Sequence, residues 1–493
     1  MAATLVGTVP STLPADDDHP YRSGAWKPNH REWDAEDLEV EGDLPSDLEG
    51  VYLRNTENPV HPSIGRYHPF DGDGMLHQIA FANGQASYRN RFVRTDGFLA
   101  EQAAAQSLWT GMLGHPEQSK REDGWGARGR MKDASSTDVV VHNGKALTSF
   151  WQCGDLYELD PRTLDTTGKA AWTAGFPSPT GVSAHTKVDE RTGELLVFGY
   201  GKAAPYLHYG VVGPGGALEH SIDVELPGPR LPHDMAFTES YAVLNDLPLF
   251  WDPDLLAQGV HLPRFFPDVP SRFAIVPRRG SSDEVRWFEA EPTYVLHWIN
   301  AYEDGDEVVL DGFFQHDPSP RKRESADAHM ASVYRYLDLE QLQTRPHRWR
   351  FNLVTGETRE ESLSDRIMEF GMVNGTIAGR PHRYTYNVTG APGWFLFDGL
   401  VKHDLLTGSE QRYAFGEGVF GSETPFAPRV GATAEDDGYL VTFTTDMVRD
   451  CSECLVFDAT DITAGPIARV RLPERISSGT HSCWAPSSAL AAQ

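Results

Sequence analysis

The chain has 493 residues, of which 40% are hydrophobic and 23% are charged, and its 43 basic and 71 acidic residues give a formal net charge of -28. This charge disfavours phosphate backbones and anionic membranes as partners, so we expect no nucleic-acid binding and no stable membrane association. The sequence shows no run of 18 apolar residues, no signal-peptide pattern and only four cysteines, which predicts a cytoplasmic protein without a disulfide framework.

Residues 1–35 are rich in Pro, Asp and His and are expected to form an irregular N-terminal arm. From 36 to 493, short β-branched and aromatic runs recur between Gly, Asp, Asn and Pro, which predicts a single all-β domain. Helical patterns at 97–113 and 324–345 are expected to be insertions in it. A hairpin is predicted over 139–150 around Asn143–Gly144. The other predicted strands include 195–200, 241–245, 307–312, 349–353 and 439–445.

Four of the 19 histidines lie in or beside strand-like runs. They are His185, His233, His297 and His481, separated by 48, 64 and 184 residues. These gaps exclude a compact HExxH or finger-type metal site, but they suit ligands that come from separate blades of a propeller. The residues alone do not establish that the four side chains converge.

The segment YLRNTENPVHPSIGRYHPFDGDGMLHQIAF, residues 52–81, resembles the N-terminal signature of the carotenoid cleavage oxygenase family. The surroundings of the four histidines resemble this family's metal motifs in the same order, and the resemblance extends from Leu38 to Pro486. It implies a seven-bladed β-propeller with a loop and helix cap over an axial Fe(II) held by the four histidines. It also implies cleavage of a conjugated C=C bond with O2, with no catalytic side chain beyond the iron centre.

The resemblance also assigns residues behind the iron ligands. Glu369 and Glu423 fall on two positions where relatives place glutamates that orient ligand histidines. A third such position is Gln152 in this chain. An amide oxygen still accepts a hydrogen bond from an imidazole N–H, but it lacks the negative charge of a carboxylate.

Two positions that contact a phenol in the lignostilbene and isoeugenol branch of the family are apolar here. Trp151 stands where that branch has a lysine, and Leu113 lies near the position of its tyrosine. Lys132, the nearest upstream lysine, is expected on the surface. The candidates for an apolar, substrate-binding wall are Phe98, Leu113, Trp151, Phe314 and Trp484.

The first predicted substrate is a small alkenyl phenol, isoeugenol or 4-vinylguaiacol, which would give vanillin. It is preferred because this acidic chain shows no obvious apolar patch for extracting polyenes from membranes. The alternatives are an apocarotenoid or carotenoid, and then a 4-hydroxystilbene. A non-catalytic propeller scaffold is the alternative from another class. A homodimer is compatible with every one of these predictions.

Overall fold

The structure is a computed structural model that describes residues 2–123, 128, 131–258, 263–318 and 338–490. Its regular structure is mostly antiparallel strands. The first ten are β1 Ala2–Thr8, β2 Arg31–Glu36, β3 Val40–Gly42, β4 Gly50–Glu57, β5 Gly74–Ala82, β6 Gln85–Phe92, β7 Asp138–His142, β8 Lys145–Ser149, β9 Tyr157–Leu159 and β10 Thr166–Lys169.

The middle of the chain contains eighteen further strands. They are β11 Lys187–Asp189, β12 Glu194–Tyr200, β13 Tyr206–Val212, β14 Leu218–Glu225, β15 Ala236–Phe237, β16 Tyr241–Asp246, β17 Leu249–Trp251, β18 Pro263–Phe265, β19 Ser271–Pro277, β20 Arg286–Ala290, β21 Trp298–Asp304, β22 Glu307–Gln315, β23 Thr344–Asn352, β24 Thr358–Ser362, β25 Glu369–Met372, β26 Tyr384–Gly390, β27 Phe397–Asp404 and β28 Ser409–Ala414.

The last six strands are β29 Val419–Phe420, β30 Phe426–Pro428, β31 Gly438–Asp446, β32 Cys451–Asp458, β33 Pro466–Arg471 and β34 Ser482–Pro486. The α-helices of the described residues are α1 Asp96–Ala104, α2 Pro253–Ala257 and α3 Leu339–Leu342. Short 3₁₀ turns lie at Gly24–Trp26, Pro69–Asp71, Pro116–Gln118, Ala171–Gly175, Ser282–Glu284, Gly375–Ile377, Ile462–Ala464 and Ser487–Leu490. None of the described helices is long and apolar enough to span a membrane.

Seven of the sheets have four or six strands, which agrees with the seven predicted blades. In strand order they are β1-β2-β6-β5-β4-β34, β10-β9-β8-β7, β11-β12-β13-β14, β15-β16-β19-β20, β21-β22-β23-β24, β25-β26-β27-β28 and β29-β31-β32-β33-β3, with β30 beside β31. Strands β17 and β18 form a separate two-stranded hairpin.

The chain divides into two compact units. The first comprises Met1–Ala184, Pro214–Ala217 and Arg412–Gln493. Two of its sheets join distant parts of the chain, because β34 pairs with β4 and β33 pairs with β3. One of its core clusters contains Tyr52, Tyr88 and Phe443 among other buried residues. These pairings fix the C-terminal segment, which carries His481, against the strands near the N-terminus.

The second unit comprises His185–Gly213 and Leu218–Gln411 and holds four consecutive four-stranded sheets. The pattern of burial across these sheets follows from their sequences. Strand β12, ELLVFGY, is buried along nearly its whole length, whereas the outer strand β14, LEHSIDVE, alternates between exposed and covered positions. A run buried on both faces needs continuous apolar residues, and a strand with one solvated face needs alternation.

Most of the predicted elements are confirmed. The strands lie within β12, β16, β22, β23 and β31, apart from the last residue predicted for β23, and the 139–150 hairpin is formed by β7 and β8. Asn143 and Gly144 both have positive φ, 48° and 70°, as a tight hairpin turn of this type requires.

Three predictions differ from the structure. The helix predicted over 97–113 is shorter, because α1 ends at Ala104 and Ala105 is left-handed at its C-terminus. Much of the pattern at 324–345 lies outside the described residues; of the rest, α3 is a single short helix and residue 344 already begins β23. Residues 1–35 are not irregular throughout, because β1 and most of β2 lie there and pair with each other.

Candidate metal centre

Three of the predicted ligands, His185, His233 and His297, form a buried cluster inside the second unit. Their exposed fractions are 2%, 5% and 8%. The ring centroids are 4.7 Å apart for His185 and His233, 5.0 Å for His185 and His297, and 5.2 Å for His233 and His297. Sequence spacing alone could not show this convergence, which the fold of the second unit provides.

The cluster fits a metal ion. Nε2 of His185 lies 3.1 Å from Nε2 of His233, and ligand nitrogens of His185 and His297 lie within 4.8 Å of each other. Two imidazole nitrogens that each lie about 2.1 Å from one metal ion, at a right angle, are about 3.0 Å apart. The observed separation therefore allows both rings to bind one divalent ion. Neutral imidazoles suit iron, zinc and copper ions alike.

Each of the three histidines lies just before the first strand of a sheet. His185 precedes β11, His233 precedes β15 and His297 precedes β21, and these are the first strands of three consecutive sheets. His185 has a φ of 61°, the left-handed region that side chains other than glycine rarely adopt. Such backbone conformations cluster at functional sites, where the surrounding structure maintains them.

Glu369 lies directly behind His297. Oε2 of Glu369 is 2.8 Å from Nδ1 of His297 and also accepts the backbone N–H of Phe370 at 2.6 Å. Glu369 is fully buried and is the first residue of β25, in the sheet that follows the sheet of His297. With Nδ1 engaged by a carboxylate, Nε2 is the nitrogen available to a metal ion.

The fourth predicted ligand, His481, lies in the first unit and is 5% exposed. Its carbonyl oxygen accepts the backbone N–H of Asn55 at 3.0 Å. Nδ1 of His481 is 3.5 Å from Oε1 of Glu423, which is longer than a good hydrogen bond, and Oε2 of Glu423 accepts the backbone N–H of Ser482 at 2.7 Å. Burial lowers the pKa of His481, but the carboxylates of Glu423, Asp138 and Glu57 together outweigh burial and raise this pKa to about 9.

A carboxyl group that the sequence analysis did not single out lies beside this histidine's segment. Oε1 of Glu57 accepts a hydrogen bond from the Thr480 hydroxyl at 3.0 Å, while Oε2 has no hydrogen-bond partner among the described residues. Burial raises the pKa of Glu57 to about 7. Arg54, on the same strand, donates to the carbonyl oxygen of Ser477 at 2.7 Å. Both residues lie within the 52–81 signature, and this membership is the sequence feature that could have identified them as candidates.

Three of the proposed wall residues pack against aromatic rings of neighbouring elements in their own unit. Phe98 is 3% exposed and stacks on Phe92 at a centroid distance of 5.3 Å. The ring centroids of Trp484 and Phe81 are 6.2 Å apart, and those of Phe314 and His347 are 5.0 Å apart. These neighbours account for the burial of the three side chains without a ligand.

The other candidates lie in loops of the first unit. Trp151 is half-buried against a small cluster of Ala134, Phe150 and Cys153. Gln152, the next residue, is also half-buried. Leu113 is 38% exposed and is therefore an apolar side chain in contact with solvent. Of the five wall candidates, Leu113 is exposed, Phe98 is buried, and Trp151, Phe314 and Trp484 are half-buried.

The expected surface position of Lys132 is wrong. Its Nζ lies 2.6 Å from Oδ1 of Asp73 and 2.8 Å from Oε2 of Glu101, and its side chain is only 11% exposed. Burial lowers the pKa of Lys132, but the two carboxylates outweigh burial and raise this pKa above its usual value. Both ion pairs lie in the first unit, and they hold the ammonium group between two carboxylates.

Comparison with known proteins places these observations among relatives. The family of the retinal pigment epithelial membrane protein matches residues 26–486. A carotenoid cleavage oxygenase of Mycobacterium tuberculosis is 32% identical and covers 96% of this chain and 98% of its own. An isoeugenol monooxygenase of Pseudomonas nitroreducens is 30% identical, with coverages of 95% and 98%.

A solved structure gives the same result for the fold. The lignostilbene dioxygenase of Pseudomonas brassicacearum superimposes with a TM-score of 0.84 at 30% identity, covering 97% of this chain and 100% of that one. The predicted fold class, a seven-bladed β-propeller, is thereby confirmed. The names of these three relatives refer to three different substrates.

Proposed function

The chain belongs to the family of the retinal pigment epithelial membrane protein and the carotenoid cleavage oxygenases, and we propose that its four histidines hold one Fe(II) ion. As a member it is a non-haem iron oxygenase. In the proposed reaction, O2 splits one conjugated C=C bond and each carbon receives one oxygen atom, giving two carbonyl products. The proposed ligands are His185, His233, His297 and His481.

The observation that carries this proposal is the buried histidine cluster of the second unit, with Nε2 of His185 and His233 3.1 Å apart and Glu369 2.8 Å behind His297. An iron ion bound by neutral imidazoles keeps its two positive charges and has open positions, so it would supply the site of O2 activation. His481 is proposed as the fourth ligand because of its motif and because Glu423 lies beside it.

The remaining assignments concern how the chain holds its ligands. Glu369 accepts a hydrogen bond from Nδ1–H of His297 and so fixes the orientation of that ring. We assign the same orienting role to Glu423 and Gln152. A carboxylate behind a ligand histidine makes the ring a stronger donor, and an amide gives direction without charge. Gln152 therefore orients its ligand but contributes less to the basicity of the ring.

For the substrate, we place an apocarotenoid first, ahead of the alkenyl phenol preferred from sequence. A phenolate needs a cation or a hydrogen-bond donor, and the charge of Lys132 is already paired with the carboxylates of Asp73 and Glu101. Trp151 offers an indole face on which a polyene could stack, and Leu113 is apolar and accessible. The alkenyl phenol remains the second candidate because an isoeugenol monooxygenase is 30% identical over nearly the whole chain. A 4-hydroxystilbene is third.

The test is product identification by mass spectrometry after the iron-loaded protein is incubated in air with an apocarotenal, isoeugenol and resveratrol separately. We expect two carbonyl fragments from the apocarotenal. Vanillin from isoeugenol alone would reverse the order of the first two candidates. No cleavage of any of the three, with one iron ion bound per chain, would overturn the substrate assignment but not the metal assignment.

A further inference from the structure

One carboxylate of the second unit connects the three chain segments that carry its histidines. Oδ1 of Asp234 lies 2.7 Å from Nζ of Lys187, and Oδ2 accepts the backbone N–H of Trp298 at 2.9 Å. Lys187 follows His185 by two residues, while Asp234 directly follows His233 and Trp298 directly follows His297. The three connected residues thus come from the starts of three consecutive sheets.

The main chain of Asp234 strengthens this connection. Its carbonyl oxygen accepts Nδ2–H of Asn245 at 2.7 Å and the indole N–H of Trp298 at 3.3 Å. Trp298 therefore contacts Asp234 twice, through its backbone and through its side chain. The Asp234 residue is only 2% exposed, and Lys187 is the partner that reaches towards solvent, with 25% of its side chain exposed.

An ordinary buried ion pair would stabilise the fold wherever it occurred. The contacts of the Asp234 carboxylate differ because they end at Lys187, Met235 and Trp298, each within two residues of a histidine in the cluster. A change of a few tenths of an ångström at any of these backbone positions moves an imidazole ring relative to the other two. Groups that orient metal ligands in this way typically alter metal affinity 10–100-fold when they are removed.

We propose that Asp234, with Lys187, is a positioning residue that sets the mutual arrangement of His185, His233 and His297. This inference rests on the proposed function, because it concerns the same metal site. It assigns to Asp234 no contact with substrate or metal. The carboxylate acts through Trp298 and Lys187 on the three histidine segments.

The test uses Co(II), whose visible absorption reports ligand geometry, added to the full-length metal-free protein. Asp234→Ala removes both oxygen acceptors, and we expect its Co(II) affinity to fall 10–100-fold with an altered absorption spectrum. Asp234→Asn retains one oxygen that can accept the backbone N–H of Trp298. Its Co(II) affinity should therefore lie between that of Asp234→Ala and that of the wild type. Lys187→Met keeps the backbone hydrogen bonds, so we expect a smaller loss of affinity, about three- to tenfold.

The matched control is Asp311→Asn. Asp311 is fully buried in the same unit and accepts two hydrogen bonds from Arg348, at 2.7 and 2.8 Å. We expect this control to lower the unfolding temperature while its Co(II) affinity stays within about twofold of the wild type.

Three results separate the possibilities. If Asp234→Ala and Lys187→Met lower the unfolding temperature as the control does but leave Co(II) affinity and spectrum unchanged, Asp234 is only structural and the inference is wrong. If Asp234→Ala does not fold, Lys187→Met and Asp234→Asn decide the question by the same two measurements. If the wild type itself binds no Co(II) and no Fe(II), the proposed metal site fails, which is distinct from failure of the positioning role.

Discussion

Nδ1 of His297 lies 2.8 Å from Oε2 of Glu369, and that oxygen also accepts the backbone N–H of Phe370. The carboxylate is therefore fixed by its own backbone neighbour before it fixes the histidine. Its direction is set by the start of β25, a rigid element. This geometry makes Glu369 the most precisely placed of the residues proposed to orient metal ligands.

Glu369→Ala should lower Fe(II) affinity 10–100-fold, because the ring of His297 loses the carboxylate that lies 2.8 Å from its Nδ1 and fixes its orientation. Glu369→Gln should lose less Fe(II) affinity, since an amide oxygen can still accept the hydrogen bond from Nδ1–H of His297. The measurement is anaerobic Fe(II) titration of the metal-free protein. Glu410→Gln is the control, because Glu410 pairs with Arg366 in the same unit and lies on another strand. Equal affinities of wild type and Glu369→Ala would contradict the assignment.

Glu423 should contribute to the pH dependence of the unfolding free energy of the metal-free protein. The pKa of His481 is raised to about 9, above its ordinary value of 6.5. A raised pKa stabilises the fold below the unfolded pKa, and this contribution is lost as the pH rises from about 6.5 through about 9. We expect denaturant unfolding to show a loss of at most about 3 kcal/mol over this range.

The same comparison in Glu423→Gln isolates the contribution of this pair. Without the Glu423 carboxylate, only Asp138 and Glu57 still oppose the effect of burial on the pKa of His481. This pKa therefore rises less, and the variant should lose less stability between about pH 6 and about pH 9.5. If the unfolding free energies of wild type and variant fall equally over this pH range, groups other than this pair cause the pH dependence of stability.

Gln152→Glu should preserve iron binding and turnover if residue 152 serves to orient a ligand. A carboxylate accepts an imidazole N–H at least as well as an amide and adds basicity to the ring. The readouts are bound iron per chain and the rate of product formation, with Gln152→Ala as the variant that removes the acceptor. Loss of iron from Gln152→Glu would refute the orienting role of Gln152.

Lys132→Met should destabilise the first unit strongly. It leaves the carboxylates of Asp73 and Glu101 buried without their cation, which typically costs about 3–5 kcal/mol. Lys120→Met is the control, because Lys120 is exposed and donates to Gln106; its change should stay within about 0.5 kcal/mol. Denaturant unfolding followed by fluorescence measures both. A similar small change in the two variants would show that the Lys132 ion pairs contribute little.

Much of the fold was predictable because local pattern and final structure agree. The Asn143–Gly144 turn and the apolar run of β12 each determine their element without long-range information. The extent of α1 was not predictable in the same way. The residues after Ala104 continue a helical composition, yet Glu101 accepts the backbone N–H groups of Leu108 and Trp109, which turns the chain away.

The sequence named candidate metal ligands but could not give their arrangement. Motif order selected His185, His233 and His297, but only the fold brings residues so distant in sequence together. Lys132 shows the same limit, since a lysine expected on the surface is a largely covered cation held by two carboxylates that are distant in sequence. The cytoplasmic location, the homodimer and the single domain over 36–493 stay predictions.

The central claim is that four histidines hold one iron ion. Anaerobic loading with Fe(II), removal of unbound metal and elemental analysis of the wild type and four single variants test it most directly. We predict one iron per wild-type chain and substoichiometric iron, at least tenfold weaker in affinity, in His185→Ala, His233→Ala, His297→Ala and His481→Ala. A wild type without stoichiometric iron, or four variants that all keep it, would contradict the claim.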